Sequence, residues 1–415
     1  MGRMSLLACG SLTASTMTDD ARPTHLDKPH LRRVIPHPVN NGEQQGVALQ
    51  DPFMLSGQTM VVPVQVANAL QHFNGEWTQT ELATNLKAPP EVISNLVEKL
   101  DELGLLWGPT ATELEDALRA KLDEDGVVPM LQSRMLGETA AQAAENLTKI
   151  MNEADDPELE GTLTGLLAPR IDYPAAERIY ASSWHAAIGL DITRVIVLGT
   201  NQYGFGEGAI GCPWGFQSPI GPLLPDTELC EVLNDQLGDA FFADALDHVA
   251  CADIEMQVPF IQHTLGSPKI LGVLMPDPFE PPQDDEPSVN ADAFAAALRT
   301  ALKTLGGRTL IVASVDLSHI GPQFGEPRPI DEQRQFEAER VDRELLASFS
   351  KGDAAGFCAA VKWNGNANRW SGVGAMTGLL QILEPNEIEL IDYQQIPADD
   401  QGSAMVAAAA AAAMT

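Results

Sequence analysis

The chain has 415 residues, 44% apolar and 20% charged, a composition that predicts a globular protein with a sizeable core and room for two or three domains. Its 25 Lys and Arg against 58 Asp and Glu give a formal charge of −33, which repels phosphate backbones and anionic lipid; no nucleic acid and no membrane surface is expected as partner, and the acidity reads as solubility. Apolar runs are short and broken, so no membrane span is expected, and five scattered cysteines (Cys9, Cys212, Cys230, Cys251, Cys358) without a CxxC pair support neither a disulfide framework nor a zinc ribbon.

Residues 1–45 are rich in Pro, His, Arg and Asn without periodicity and read as a flexible arm. Leu6-Leu7-Ala8-Cys9 faintly resembles a lipoprotein cleavage box, but the apolar stretch before Cys9 is too short for a signal core. Either Met17 is the true start or the segment is a disordered tail, and the expected compartment is the reducing cytoplasm.

The next unit covers residues 46–110. Val47 to Pro63 holds short β-like pieces broken by Asp51-Pro52 and Ser56-Gly57, and Val64 to Phe73 predicts a helix stopped at Asn74-Gly75. Thr78 and Glu81 form a capping box opening a second helix, with Leu82 and Leu86 on its apolar side. Pro89-Pro90 opens a third, whose Val92, Ile93, Leu96, Val97, Leu100 and Leu103 recur at helical spacing before Gly104. Strand pieces, three short helices and the return Leu105-Leu106-Trp107 describe a small winged-helix-like α+β module. The run from His72 to Leu106 resembles the helical part of PqqD-like peptide-binding domains, and that resemblance implies a peptide or protein partner for residues 46–110. The plain alternative is a three-helix module packing on its neighbour. DNA reading is disfavoured, because the third helix carries Glu91, Glu98, Asp101 and Glu102 against Lys99 alone.

Residues 111–160, rich in Ala, Glu and Leu, read as a helical linker ending at Asp155-Asp156-Pro157. From 161 to 415 the signals alternate. Gly165 to Ala168, Arg194 to Gly199, Lys269 to Met275 and Thr309 to Ser314 read as strands. Ala175 to Ile188, Thr227 to Leu237, Ala291 to Leu305 and Arg334 to Ser350 read as helices. Uniformly apolar strands separated by helices predict an α/β domain with a mixed, largely parallel sheet covered on both faces. Polar residues just past the strand ends are then the place to look for chemistry.

Four segments, in order, carry a resemblance to a known family. LLAPRIDYP (166–174) stands where a strand ends in Ala-Pro-His-Ala-Gly-Tyr, and VIVLGTNQYG (195–204) where a strand and Gly precede a Ser-His-His turn. QSPIGPLLPDTEL (217–229) and ADIEMQVPFIQ (252–262) match a Thr-Pro-Leu-Gly…Asp segment and His-Ser-Ile-Glu-Val-Gln-Leu-Pro-Phe, and IVASVDLSHIG (311–321) matches Ser-Ser-Asp-Leu-Ser-His. These resemble the Memo family, also called the AmmeMemoRadiSam system protein B family, over about 250 residues. The resemblance implies a fold similar to class III extradiol dioxygenases and a pocket of two His and one Cys suited to copper or iron. It also implies that the Ala-rich tail MVAAAAAAAM, helical by propensity, is a buried strand.

Carried over residue by residue, the pocket is altered. The first His falls on Arg170, the His-His turn on Gln202 and Tyr203, the Cys on Ser371 in RWSGVGAMTGLL, and the His of the third segment on Ala252. Glu255, Gln257, Pro259, Asp316 and His319 remain, with Pro219, Gly221 and Asp226 as structural marks. Arg cannot ligate a cation, so Arg170 would repel a metal and pair instead with Asp172, Glu255 or Asp316. The expectation is a pocket without metal in a non-catalytic binding or scaffold protein. The alternative is an oxygen-rich site of Glu255, Asp316 and His319 holding iron, copper or manganese in a metal-dependent oxidoreductase. A structural ion-pair network explains the same residues without catalysis. A Ser371–His319 nucleophile–base pair lacks the G-x-S-x-G elbow. The glycines of YGFGEG (203–208) lack the following helix that a dinucleotide fingerprint needs, so they read as a loop at the pocket mouth.

Overall fold

The computed structural model describes residues 23–40, 45–202, 204–280 and 287–414. The chain divides into two compact units, 1–114 and 115–415. Residues 1–45, read as an arm, lie partly outside the described residues. Their described part holds helix α1 (Thr24–Asp27) and strand β1 (Ile35–Asn40).

In the first unit β1, β2 (Gln45–Gln50) and β3 (Met60–Pro63) form a three-stranded antiparallel sheet in that order. Helices α2 (Val64–Ala69), α3 (Gln79–Asn85) and α4 (Pro90–Glu102) follow. The capping box is present: the Glu81 N–H donates to Thr78 Oγ1 at 3.3 Å and the Thr78 N–H donates to Glu81 Oε2 at 2.8 Å. The α4 stripe buries Ile93, Val97 and Leu100 against Leu49, Leu70 and Leu82.

Helix α5 (Pro109–Asp125) leads to a segment that sequence periodicity did not resolve. Strand β4 (Val127–Val128) pairs in parallel with β8 (Gly215–Ser218), and a turn at 133–136 precedes α6 (Ala140–Met151).

The α/β domain is built on β5 (Leu163–Pro169), β6 (Arg194–Thr200), β7 (Ile210–Gly211), β10 (Lys269–Met275), β11 (Thr309–Val315), β12 (His319–Ile320), β13 (Glu387–Pro397) and β14 (Met405–Met414), with the short β9 (Gly221–Leu223) paired to β8. The order is β12-β14-β5-β11-β6-β10-β7, with β13 paired to β14. The pairs β5–β11, β11–β6 and β6–β10 are parallel, and the outer pairings are antiparallel. The Ala-rich tail is β14, almost wholly buried. Position in the sheet overrides its helix propensity.

Helices α7 (Tyr173–His185), α8 (Thr227–Leu237), α9 (Asp247–Ala250), α10 (Val258–Leu265), α11 (Ala291–Leu305), α12 (Glu332–Phe349), α13 (Ala354–Trp363) and α14 (Val373–Leu383) complete the unit. Alternate strand residues Leu167, Ile196, Leu271 and Ile311 join residues of α8, α11 and α14 in one core, as the two-residue period of a strand requires. Tyr173, Tyr180, Trp184 and Phe260 stack in a second aromatic group between α7 and α10. Asp226 caps α8 through the Leu229 N–H and is ion-paired with the buried Arg194. No helix among the described residues is long and apolar enough to cross a membrane.

Candidate functional site

Strand register sets the pocket. Pro169, the last residue of β5, lies opposite Val315, the last of β11, so Arg170 and Asp316 emerge side by side past the carboxyl ends of adjacent parallel strands. The Arg170 guanidinium donates to Asp316 Oδ2 at 2.5 Å and to Gln202 Oε1 at 3.1 Å. A second carboxylate oxygen, Asp253 Oδ1, lies 3.4 Å from Arg170 Nη1. Asp253 is tied to the end of β6, accepting the Thr200 N–H at 2.8 Å. Gly199 allows this approach, since a Cβ there would fall 2.7 Å from that of Asp253.

His319 closes the other side of Asp316. Its Nε2 lies 3.4 Å from Asp316 Oδ2, and its Nδ1 lies 3.0 Å and 3.1 Å from the carbonyl oxygens of Leu317 and Arg369. All three neighbours accept hydrogen bonds, so the ring is best satisfied with a proton on each nitrogen. Phe324 covers it edge-on, ring centroids 5.0 Å apart. Arg369 holds φ at 56°, in the left-handed region that disfavours side chains, and its Nη1 returns to the His319 carbonyl at 3.4 Å. The Ser371 hydroxyl donates to Asp316 Oδ1.

Electrostatics follow from this packing. Burial alone would raise Asp316, but Arg170, His319 and Ser371 together hold its carboxyl well below the usual carboxylate range. Burial works to lower His319, yet its bond to Asp316, that carboxylate's charge and the Arg369 carbonyl raise it above the ordinary value. Asp253 is pushed up to about 6 by burial, which outweighs the attraction of Arg170. Two cations and two carboxylates thus interlock. Ser371 faces a carboxylate held too low to act as a base, so this arrangement does not activate it as a nucleophile.

Arg170, Gln202, Asp316, His319 and Ser371 therefore meet around one carboxylate and one guanidinium. Glu255 does not join them. Its carboxylate accepts the backbone N–H groups of Leu131, Gln132 and Ser133 at 3.2, 3.1 and 2.9 Å, plus the Ser133 hydroxyl, and so anchors the turn between β4 and α6. Asp172 is exposed at the start of α7, and Tyr203 lies outside the described residues. Of the partners considered for Arg170, Asp316 is the one found; Asp253 takes the place offered to Asp172 or Glu255. Among the described residues no group of three or more His, Cys, Asp or Glu is disposed to hold a metal ion. Beyond the Gln202 position, the loop is pinned by buried Asp247, which accepts the Phe205 and Gly206 N–H groups at 3.0 and 2.8 Å. No helix follows the loop's glycines; the short β7 does.

The sequence reading missed Asp253 and Arg369. Asp253 carried a signal: a carboxylate set directly between the apolar Ala252 and Ile254. The Arg369 backbone carried none, because a carbonyl acceptor has no residue type.

Comparison with known proteins gives a consistent result. The model of the family described as Memo-like protein matches residues 132–412. A MEMO1 family protein of Thermus thermophilus is 25% identical over 313 residues, covering 74% of this chain and 88% of that protein. One of Aquifex aeolicus is 24% identical over 325 residues, 76% of this chain and 81% of that one. One of Methanosarcina acetivorans is 24% identical over 268 residues, 64% and 91% respectively.

Proposed function

The chain belongs to the Memo-like protein family, and from that premise we propose that it is a non-catalytic binding or scaffold protein whose pocket is closed by ion pairs instead of a metal. The observation that carries this reading is the Arg170 guanidinium, 2.5 Å from Asp316 and 3.4 Å from Asp253, at a position where the family pattern expects a ligand. A metal would have to displace a permanent cation from the two carboxylates nearest to it. Two further features support the same reading. The His319 nitrogens both face acceptors, so neither lone pair is free for a metal, and Ser371 spends its proton on Asp316. The donor set does not fit the group that the family pattern implies.

The rival is a metal-dependent oxidoreductase using Glu255, Asp316 and His319. It needs Glu255 to leave three backbone N–H groups that it alone satisfies. Metal analysis separates the two. Protein purified without chelator, incubated with Fe(II), Cu(II) or Mn(II) and desalted, is expected to retain far less than one ion per chain. Stoichiometric iron, copper or manganese that disappears in His319→Ala would overturn the proposal.

A peptide or protein partner for residues 46–110 belongs to the same proposal. It is supported by the outer position of β3 in its sheet, where Val61 is 56% exposed, a setting that suits an added strand. A cytoplasmic setting also belongs to it and fits the buried thiols of Cys212 and Cys230.

A further inference from the structure

We infer that Asp342, on α12 and outside the ion-paired cluster, is the positioning residue that holds the two loops framing His319 and Ser371. The inference rests on the pocket reading above and names what keeps that pocket in shape.

The Asp342 side chain is fully buried. No cation pairs with it among the described residues; four neutral donors converge on it instead. Its Oδ1 accepts from the Ser318 hydroxyl, from Asn368 Nδ2 at 3.0 Å and from Trp370 Nε1 at 2.8 Å. Its Oδ2 accepts from the Tyr393 hydroxyl at 2.8 Å.

Three of these donors sit one residue before a group at the pocket. Ser318 precedes His319, and Trp370 precedes Ser371. Asn368 precedes Arg369, whose carbonyl takes the His319 Nδ1 proton, and the Asn368 carbonyl itself accepts the His319 backbone N–H at 2.7 Å. Tyr393, on β13, ties the cluster to the sheet. One carboxylate therefore sets the spacing of the 316–319 turn, the 366–371 loop and the sheet.

Position on the helix sharpens the point. Buried α12 residues are Ala338, Asp342, Leu345, Leu346 and Phe349, so Asp342 occupies a place on the apolar stripe. A leucine there would bury as well and avoid the cost of an unpaired buried charge. What a leucine cannot do is gather four donors from three segments in one arrangement.

The test uses the full chain labelled with 13C at the histidine rings, with His319→Gln to assign the His319 signal among the eight histidines. Asp342→Leu is expected to move the His319 titration down, back toward an ordinary histidine, and to speed exchange of the His319 amide. Asp342→Asn is expected to rescue both. Its oxygen still serves Trp370 and Asn368, which can only donate there, while its amide turns to the Tyr393 hydroxyl, which can also accept.

An unchanged His319 titration in a folded, less stable Asp342→Leu protein would overturn the inference and leave a merely structural role. A shift in Asp342→Asn as large as in Asp342→Leu would overturn it too, by making charge the cause. If Asp342→Leu does not fold, Trp370→Phe and Ser318→Ala each remove one donor and must shift His319 in the same direction. A His319 signal that fails to titrate in every variant, with metal found in the samples, would instead mark failure of the metal-free reading.

Discussion

A histidine held between acceptors and a carboxylate held between cations make the stability of this protein depend on pH in a defined window. The folded-state pKa of Asp316 is depressed, so its contribution is present above the unfolded value of about 3.9 and is lost as pH falls through the folded one. That of His319 is raised, so its contribution is complete below about 6.5 and is lost as pH rises through the folded value. Asp253, pushed up to about 6 by burial, adds a penalty as it ionises and so acts in the same direction as His319. The unfolding free energy of the native chain should therefore exceed that of His319→Ala by about 2 kcal/mol near pH 5. The gap should narrow above neutrality in urea titrations; a gap that widens with pH would contradict the ion-paired imidazolium. At this scale the sequence was informative where chemistry lies in residue type at a strand end, as for Arg170, Asp316 and His319. It misplaced Glu255, because a carboxylate's partners in a 3-10 turn depend on which way the turn faces. Asp342 was hidden among the charges of α12, although its place four residues after Ala338 and three before Leu345 marks it as a carboxylate on an apolar stripe.

Glu255 shows how one side chain can define an element. The backbone N–H groups of the turn at 131–133 are satisfied by that carboxylate. Glu255→Ala should leave three N–H groups without partners and destabilise the protein by roughly 3 kcal/mol or more. It should also accelerate amide hydrogen exchange at Leu131, Gln132 and Ser133 ahead of the central sheet. Protection that persists there in the variant would show that other contacts hold the turn. The same segment explains the limit of periodicity. Long helices such as α8 and α11 and buried strands such as β10 were legible to the residue, because their apolar periods run for seven residues or more. Strand β4 has two residues and no period, and it exists only because β8 supplies its hydrogen bonds. Strand β14 is the opposite case: its alanines point to helix, and only its place between β5 and β13 makes them a strand.

For the whole molecule, the decisive quantity is the formal charge of −33, which sets the acidic surface apart from the near-neutral pocket. In the pocket Arg170 and His319 balance Asp253 and Asp316 at short range and with little solvent between them. On the surface, pairs such as Lys121–Asp125 and Arg340–Glu344 are exposed and contribute little each, while 58 acids outnumber 25 Lys and Arg. Most of the remaining charge repels itself over distances that salt can reach. Raising ionic strength from about 0.01 M to about 0.15 M shortens the screening length from roughly 30 Å to roughly 8 Å, which weakens that repulsion more than the buried pairs. Thermal unfolding should therefore move to higher temperature across this range, equally in NaCl and KCl, and then level off. The His319 titration should stay in place over the same range, because its partners are within hydrogen-bonding reach and largely buried. A Tm that falls with salt would mean that surface attraction outweighs repulsion. A His319 titration that drifts with salt would mean that the pocket is open to the field of the acidic surface.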